Sequence, residues 1–174
     1  MAAKRLLKEL DAYSRDGSSA ISLLEAVDDE DLFHLTAILR GPEETAYEGN
    51  KQFKLRNAQQ MLTNSIAGGR FRLSISVPQN YPASPPDIRF QTPCCHPNVN
   101  FKTGEICLDL FKGSWTPAYG LASALEAIQQ LLSTGGEPDN PFNTDIARLF
   151  REGDYVAAEG LVRFYTGLYA TSRG

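Results

Sequence analysis

The chemistry-bearing side chains of this 174-residue chain gather in one stretch, Cys94-Cys95-His96-Pro97-Asn98 followed by Gly104-Glu105-Ile106-Cys107-Leu108-Asp109. It holds all three cysteines and one of the two histidines. Three chemistries compete for it. A metal site would draw on Cys94, Cys95, His96 and Cys107. Adjacent cysteines do not readily turn toward one tetrahedral ion, though, and the C-x₂₋₄-C spacing of structural zinc sites is missing, so no metal is expected. A cysteine hydrolase would need a histidine base with its own orienting partner. His34 falls within a predicted strand and reads as a satisfied structural residue. His96 is stiffened by the proline after it and reads as a group that holds the loop by hydrogen bonds. The third chemistry is a thioester carrier, which needs one accessible thiol, a donor for the oxyanion formed when the thioester is attacked, and no efficient base to activate water. The Asn98 amide can be that donor. Alone, Cys107 would read as a small buried hydrophobe; the loop as a whole points to the carrier. Cys94 and Cys95 are expected in the core.

Such a loop has to be positioned by regular elements. Residues 3–15 place Leu6, Leu10 and Tyr13 on one helical face, with Leu7 beside them and Lys4, Arg5, Lys8 and Glu9 on the rest. Residues 21–27 and 32–40 flank the acidic turn Asp28-Asp29-Glu30-Asp31 and predict a hairpin. Residues 70–77 alternate strictly, with Phe71, Leu73, Ile75 and Val77 on one face. Residues 87–91 predict a short fourth strand. Residues 92–117 show no sustained period and read as a functional loop. Helices follow over 121–133, with Leu121, Leu125, Ile128, Leu131 and Leu132 inward, and over 144–150 and 155–170. Strands and helices are segregated, so the class is α+β.

Composition narrows the field further. Charge is 17 Lys+Arg against 21 Asp+Glu, a net −4, which argues against a dedicated nucleic-acid binder. With 42% hydrophobic and 22% charged residues the chain can build an ordinary core as one domain. The odd cysteine count, without a spaced framework or a secretory leader, predicts a reducing, cytoplasmic setting.

The same residues carry a family resemblance. His96-Pro97-Asn98, the segment from Gly104 to Asp109, and Trp115-Thr116-Pro117-Ala118 resemble motifs of ubiquitin-conjugating enzymes. So do Tyr81-Pro82 with Pro85-Pro86, and Gly41-Pro42 with Tyr47 and Gly49. The likeness spans nearly all of the chain apart from about residues 50–68. It implies an N-terminal helix, a four-stranded antiparallel meander and C-terminal helices, in agreement with the element order above. It also implies that Cys107 accepts ubiquitin's C-terminal glycine as a thioester from an activating enzyme. Asn98 would stabilise the oxyanion or hold the loop that does so, and His96 and Pro97 would be structural. ATP is consumed by the activating enzyme, so no cofactor is implied. Lys4, Arg5 and Lys8 match the basic face that meets the activating enzyme. That helix, the loop containing Ala83, and Trp115, Thr116, Pro117 and Ala118 would form the surface for a RING-type ligase.

Departures from the family pattern sharpen the resemblance. Ala83 replaces an aromatic with which many members anchor a RING ligase, removing most of that contact. Asn140, within Pro138-Asp139-Asn140-Pro141, stands where many members carry an acid that deprotonates an incoming lysine; Asp139 is the candidate substitute. With the loop around Lys102 and the ending Phe150-Arg151-Glu152-Gly153-Asp154-Tyr155, these features resemble most the fungal peroxisomal branch, the peroxin-4 type. That branch modifies a cysteine of the peroxisomal import receptor and is recruited by a membrane-anchor peroxin to the cytosolic face of the peroxisome. A thiol near 8.5 is about two units more acidic than a lysine near 10.4, so its nucleophilic fraction at neutral pH is about a hundredfold larger and it needs a carboxylate base less. The alternatives are a general cytosolic enzyme acting on lysines and an inactive variant that only binds ubiquitin. The atypical insert, residues 50–68, reads either as a short intron translated in frame or as a genuine hairpin extension. In either case it is expected to be a mobile excursion outside the chemistry.

Overall fold

The computed structural model describes residues 2–28, 30–49, 68–107, 111, 113–136 and 141–170. Helix α1 (Ala2–Asp16) leads into four strands, β1 (Ile21–Asp28), β2 (Asp31–Arg40), β3 (Arg70–Ser76) and β4 (Asp87–Phe90). Three helices close the chain: α2 (Leu121–Thr134), α3 (Thr144–Arg151) and α4 (Tyr155–Tyr169). The strands form one antiparallel sheet in sequence order, the meander that the resemblance implied.

Register follows from the hydrophobic alternation. Leu35 pairs with Ile75, Ala37 with Leu73 and Leu39 with Phe71, so one face of β2 and β3 is wholly apolar. Leu73 opposite Phe90 and Ile75 opposite Ile88 extend that face across β4. Against it lie Leu121, Leu125, Ile128 and Leu132 of α2 and Leu6 of α1, all buried. Leu7, one position along α1, turns to solvent and is 53% exposed. Helix α2 begins at Gly120, where the Ser123 hydroxyl accepts from the Gly120 N–H at 2.9 Å, and ends at Gly135 in the left-handed region.

Strand β2 carries the second histidine. His34 lies in the strand, opposite Ser76, yet on the solvent face. Its Nδ1 lies 2.6 Å from Asp31 Oδ2. It is partnered, as expected of a satisfied histidine, and lies at the surface. The run Leu32-Phe33-His34-Leu35 is apolar on both sides of the pleat, which blurs the alternation that would have shown this.

Between β2 and β3 the chain makes one 3₁₀ turn, Ala46–Glu48, capped by the Thr45 side chain on the Tyr47 N–H. The Gly41 N–H donates to Gly69 O at 2.8 Å and the Gly69 N–H donates to Glu48 O at 2.5 Å. Added Cβ atoms would lie 2.8 Å from Gly69 N at Gly49 and 2.1 Å from Tyr47 O at Gly69, so this approach needs glycine. The two ends of the atypical insert therefore meet in a backbone-bonded neck. Residues 50–67 themselves lie outside the described residues.

Candidate active site

The loop from Cys94 to Cys107 is irregular but closely tied. Val99 and Ile106 form an antiparallel bridge, the Asn100 N–H donates to Glu105 O at 2.8 Å, and the Cys107 N–H donates to Asn98 O at 2.7 Å. Residues 98–107 thus fold back into a short tongue whose end is Cys107. Its turn is built by Asn100, whose Oδ1 accepts from the N–H groups of Lys102 and Thr103. The tongue is clipped to β4 twice. The Phe90 N–H donates to Gly104 O at 2.9 Å, and Arg89 lies opposite Glu105 with its guanidinium 3.2 Å from that carboxylate. Gly104 has φ +71°, and an added Cβ would sit 1.9 Å from Phe90 O, so only glycine allows the clip.

His96 anchors the other arm. It is fully buried; its Nε2–H donates to Leu131 O at 3.2 Å while its Nδ1 accepts the Asn98 N–H at 3.0 Å. Both nitrogens are thereby engaged in the neutral ring. Burial holds its pKa down at about 4, so the imidazole is uncharged at neutral pH. Tyr47 packs against it with ring centroids 6.0 Å apart and donates its hydroxyl to Cys95 O at 2.9 Å. Pro97 O accepts from the N–H groups of Phe142 and Asn143, tying the loop to the entry of α3. With both ring nitrogens engaged by backbone groups and its pKa held low, His96 is a weak base with no lone pair turned toward Cys107.

The three cysteines are not equivalent. Cys94 and Cys95 are buried, 1% and 4% exposed, and burial pushes the Cys94 thiol well up and the Cys95 thiol to about 12. Both belong to the core, as expected. Cys107 alone among the three is partly exposed. Among the described residues no group of three or more His, Cys, Asp or Glu side chains gathers as metal ligands would. Asn98 is 2% exposed, and its backbone is bonded to that of Cys107. Asp139, Asn140 and the flanking Pro138 lie outside the described residues.

Helix α1, the Tyr81 loop and the start of α2, which carry or flank the expected docking residues, are joined by Glu9 on the polar face of α1. The Glu9 carboxylate accepts the Tyr81 hydroxyl at 2.9 Å and the Leu121 N–H at 2.7 Å, and it also pairs with Arg5. Arg5 reaches on to Tyr119 O at 3.1 Å, and the Trp115 Nε1–H donates to Pro82 O at 2.9 Å. Arg5 is therefore a tie within the molecule, whereas Lys4 and Lys8 are exposed. Ala83, Thr116, Pro117 and Ala118 are exposed as well, and Trp115 is half-buried beneath them. The signal for Glu9 was its i,i+4 spacing from Arg5, but its other partners are distant in sequence.

Residues 63–165 match the family described as ubiquitin-conjugating enzyme. The chain belongs to that family. It is 42% identical over 167 residues to the ubiquitin-conjugating enzyme E2 pex4 of Dictyostelium discoideum, covering 96% of this chain and 98% of the relative. It is 40% identical to the protein PEROXIN-4 of Arabidopsis thaliana, covering 95% of this chain and 93% of that one. Among solved structures it is similar to the H. polymorpha ubiquitin-conjugating enzyme Pex4p in complex with the soluble domain of Pex22p. There the TM-score is 0.81 at 32% identity, with 97% of each chain covered. A ubiquitin-conjugating enzyme from Plasmodium yoelii superposes with TM-score 0.79 at 32% identity, covering 98% of this chain and 96% of that one. As a ubiquitin-conjugating enzyme the chain is a transferase that receives ubiquitin as a thioester and passes it on. Its partners are ubiquitin, an activating enzyme and a ligase.

Proposed function

We propose that Cys107 is the residue that carries ubiquitin, within a single catalytic domain interrupted by the insert at about residues 50–68. The observation that carries this reading is the contrast in access, Cys107 partly exposed against Cys94 and Cys95 in the core. In charging, the Cys107 thiolate attacks the carbonyl carbon of ubiquitin's C-terminal glycine in its thioester with the activating enzyme. The new C–S bond forms as the activating enzyme's sulfur leaves as a thiolate. In discharge, the acceptor's nucleophile attacks the same carbon, and the negative charge gathers on the carbonyl oxygen. The Asn98 amide N–H donates to that oxyanion, and its collapse expels the Cys107 thiolate, which takes up the proton the acceptor gives off. Neutral, doubly bonded His96 and Pro97 keep the loop in shape. Asp139 and Asn140 keep their sequence-based roles, a weak substitute for a missing acid and a loop residue.

The acceptor in this reading is a cysteine, and the setting is the cytosolic face of the peroxisome. Similarity to pex4 of Dictyostelium discoideum and to PEROXIN-4 supports the setting. The relative solved with the soluble domain of Pex22p supports recruitment by a membrane-anchor peroxin. No described helix is long and apolar enough to cross a membrane. The import receptor is the proposed substrate. Exposed Lys4 and Lys8 face the activating enzyme, and exposed Ala83, Thr116, Pro117 and Ala118 face a RING-type ligase, with Arg5 and Trp115 supporting the surface from beneath.

Incubation of the chain with activating enzyme, ATP and ubiquitin tests the carrier role on a gel. A shifted band that reductant removes, and that turns reductant-resistant in Cys107→Ser, is expected. No band with ubiquitin would shift the reading to another modifier, to a fold spoiled by the insert, or to a binding role. Charged enzyme should then discharge onto free cysteine much faster than onto free lysine; equal rates would overturn the cysteine acceptor in favour of a general lysine-directed enzyme.

A further inference from the structure

Helix α2 ends in two consecutive glycines, both in the left-handed region, Gly135 at φ +74° and Gly136 at φ +73°. Their surroundings differ. An added Cβ at Gly135 would meet only Phe150, at 3.8 Å, an ordinary contact. At Gly136 it would lie 2.1 Å from Asn98 Oδ1, 2.5 Å from His96 Cε1 and 3.0 Å from His96 Nε2. None of these atoms can yield cheaply. His96 is held from both sides, by Leu131 O and by the Asn98 N–H, and Asn98 is almost wholly buried. The backbone of Gly136 is thus the wall against which the Asn98 carboxamide oxygen rests.

We infer that Gly136 is a positioning residue for ubiquitin transfer, fixing which way the Asn98 amide points. The carboxamide has one acceptor end and one donor end. With its oxygen lodged against Gly136, rotation of the amide is restricted and the donor end keeps one direction. A methyl group at Gly136 would displace the oxygen and turn the donor away, and an electrostatic donor acts only when it is aimed in advance. The inference rests on the assignment of Asn98 as oxyanion donor.

Gly135 supplies the matched control, since alanine there meets the same left-handed backbone without touching Asn98. The test is single-turnover discharge of the full chain onto free cysteine, with the rate taken per charged molecule so that loss of folded protein does not count. Gly136→Ala should slow discharge at least tenfold and Gly135→Ala less than twofold. In an Asn98→Ala background Gly136→Ala should add less than twofold, because the group it acts through is gone. Wild-type discharge by Gly136→Ala, or an equal slowing with and without Asn98, overturns the inference while the oxyanion assignment stands. Wild-type discharge by Asn98→Ala overturns the assignment itself, and the inference with it. If Gly136→Ala is too unstable to charge, its melting temperature decides. The drop should be smaller in the Asn98→Ala background, and an equal drop would show that the methyl does not meet Asn98.

Discussion

The tongue that carries Cys107 and the junction around Glu9 are both irregular, and they are held in opposite ways. The tongue rests on backbone bonds between residues near in sequence, Asn98 with Cys107 and Asn100 with Glu105, clipped to β4 by Gly104. The junction rests on one carboxylate, which gathers a hydroxyl from Tyr81, an N–H from Leu121 and the Arg5 guanidinium. A backbone-built loop tolerates changes of side chain provided Gly104, the turn-building Asn100 and the buried histidine stay. A side-chain-built junction comes apart with one residue. Steadiness falls to the loop proposed to carry the chemistry, and a single point of failure to the surface proposed for docking.

The contrast can be broken hardest at Gly104. Alanine there meets Phe90 O and the wrong sign of φ at once, so Gly104→Ala should cost on the order of 3 kcal/mol in denaturant unfolding and abolish charging. Acid probes the second support of the tongue. The folded His96 pKa of about 4 lies below its unfolded value near 6.5, so between these values the unfolded chain binds a proton that the fold refuses. The stabilisation is complete above about pH 6.5 and is lost as pH falls toward 4, to the extent of about 3 kcal/mol. Stability measured from pH 7 to 4 should show this loss, and His96→Asn should flatten that part of the curve.

The junction is next in size. Glu9→Ala leaves the buried Tyr81 hydroxyl and the Leu121 N–H without their acceptor, at a cost of about 2 kcal/mol by denaturant unfolding. It should weaken charging and ligase-stimulated transfer while discharge onto free cysteine, per charged molecule, changes less than twofold. If that intrinsic discharge falls in parallel, the two regions are one unit and the comparison fails. The smallest effect is expected from Tyr47→Phe, which removes the hydroxyl bond to Cys95 O and should cost about 1 kcal/mol, read as a modest drop in melting temperature.

The same contrast explains what could be read from the sequence. The tongue is legible because its partners are neighbours: His96, Pro97, Asn98 and Cys107 form ordered motifs within fourteen residues, counted from Cys94 to Cys107. The inward face of β3, Phe71, Leu73 and Ile75, was legible from a strict period of two, whereas its register against Leu39, Ala37 and Leu35 came only with the fold. Glu9 was not, since its donors come from residues 81 and 121 and only the fold brings them to α1. Nor was Gly136, which in the sequence is half of an ordinary helix-ending pair. Its approach to Asn98 exists only once α2 has packed on the sheet. The outward face of His34 was hidden by apolar residues on both sides of its strand.

The neck where Gly41, Glu48 and Gly69 exchange backbone bonds has a practical consequence. Gly49 and Gly68 are held side by side there, and lengthening a loop between fixed ends adds only about 0.6 kcal/mol per doubling. The site is a ready-made port for cargo. An affinity peptide or a fluorescent domain spliced in place of residues 50–67 should travel with the enzyme and leave its melting temperature and charging rate as they were.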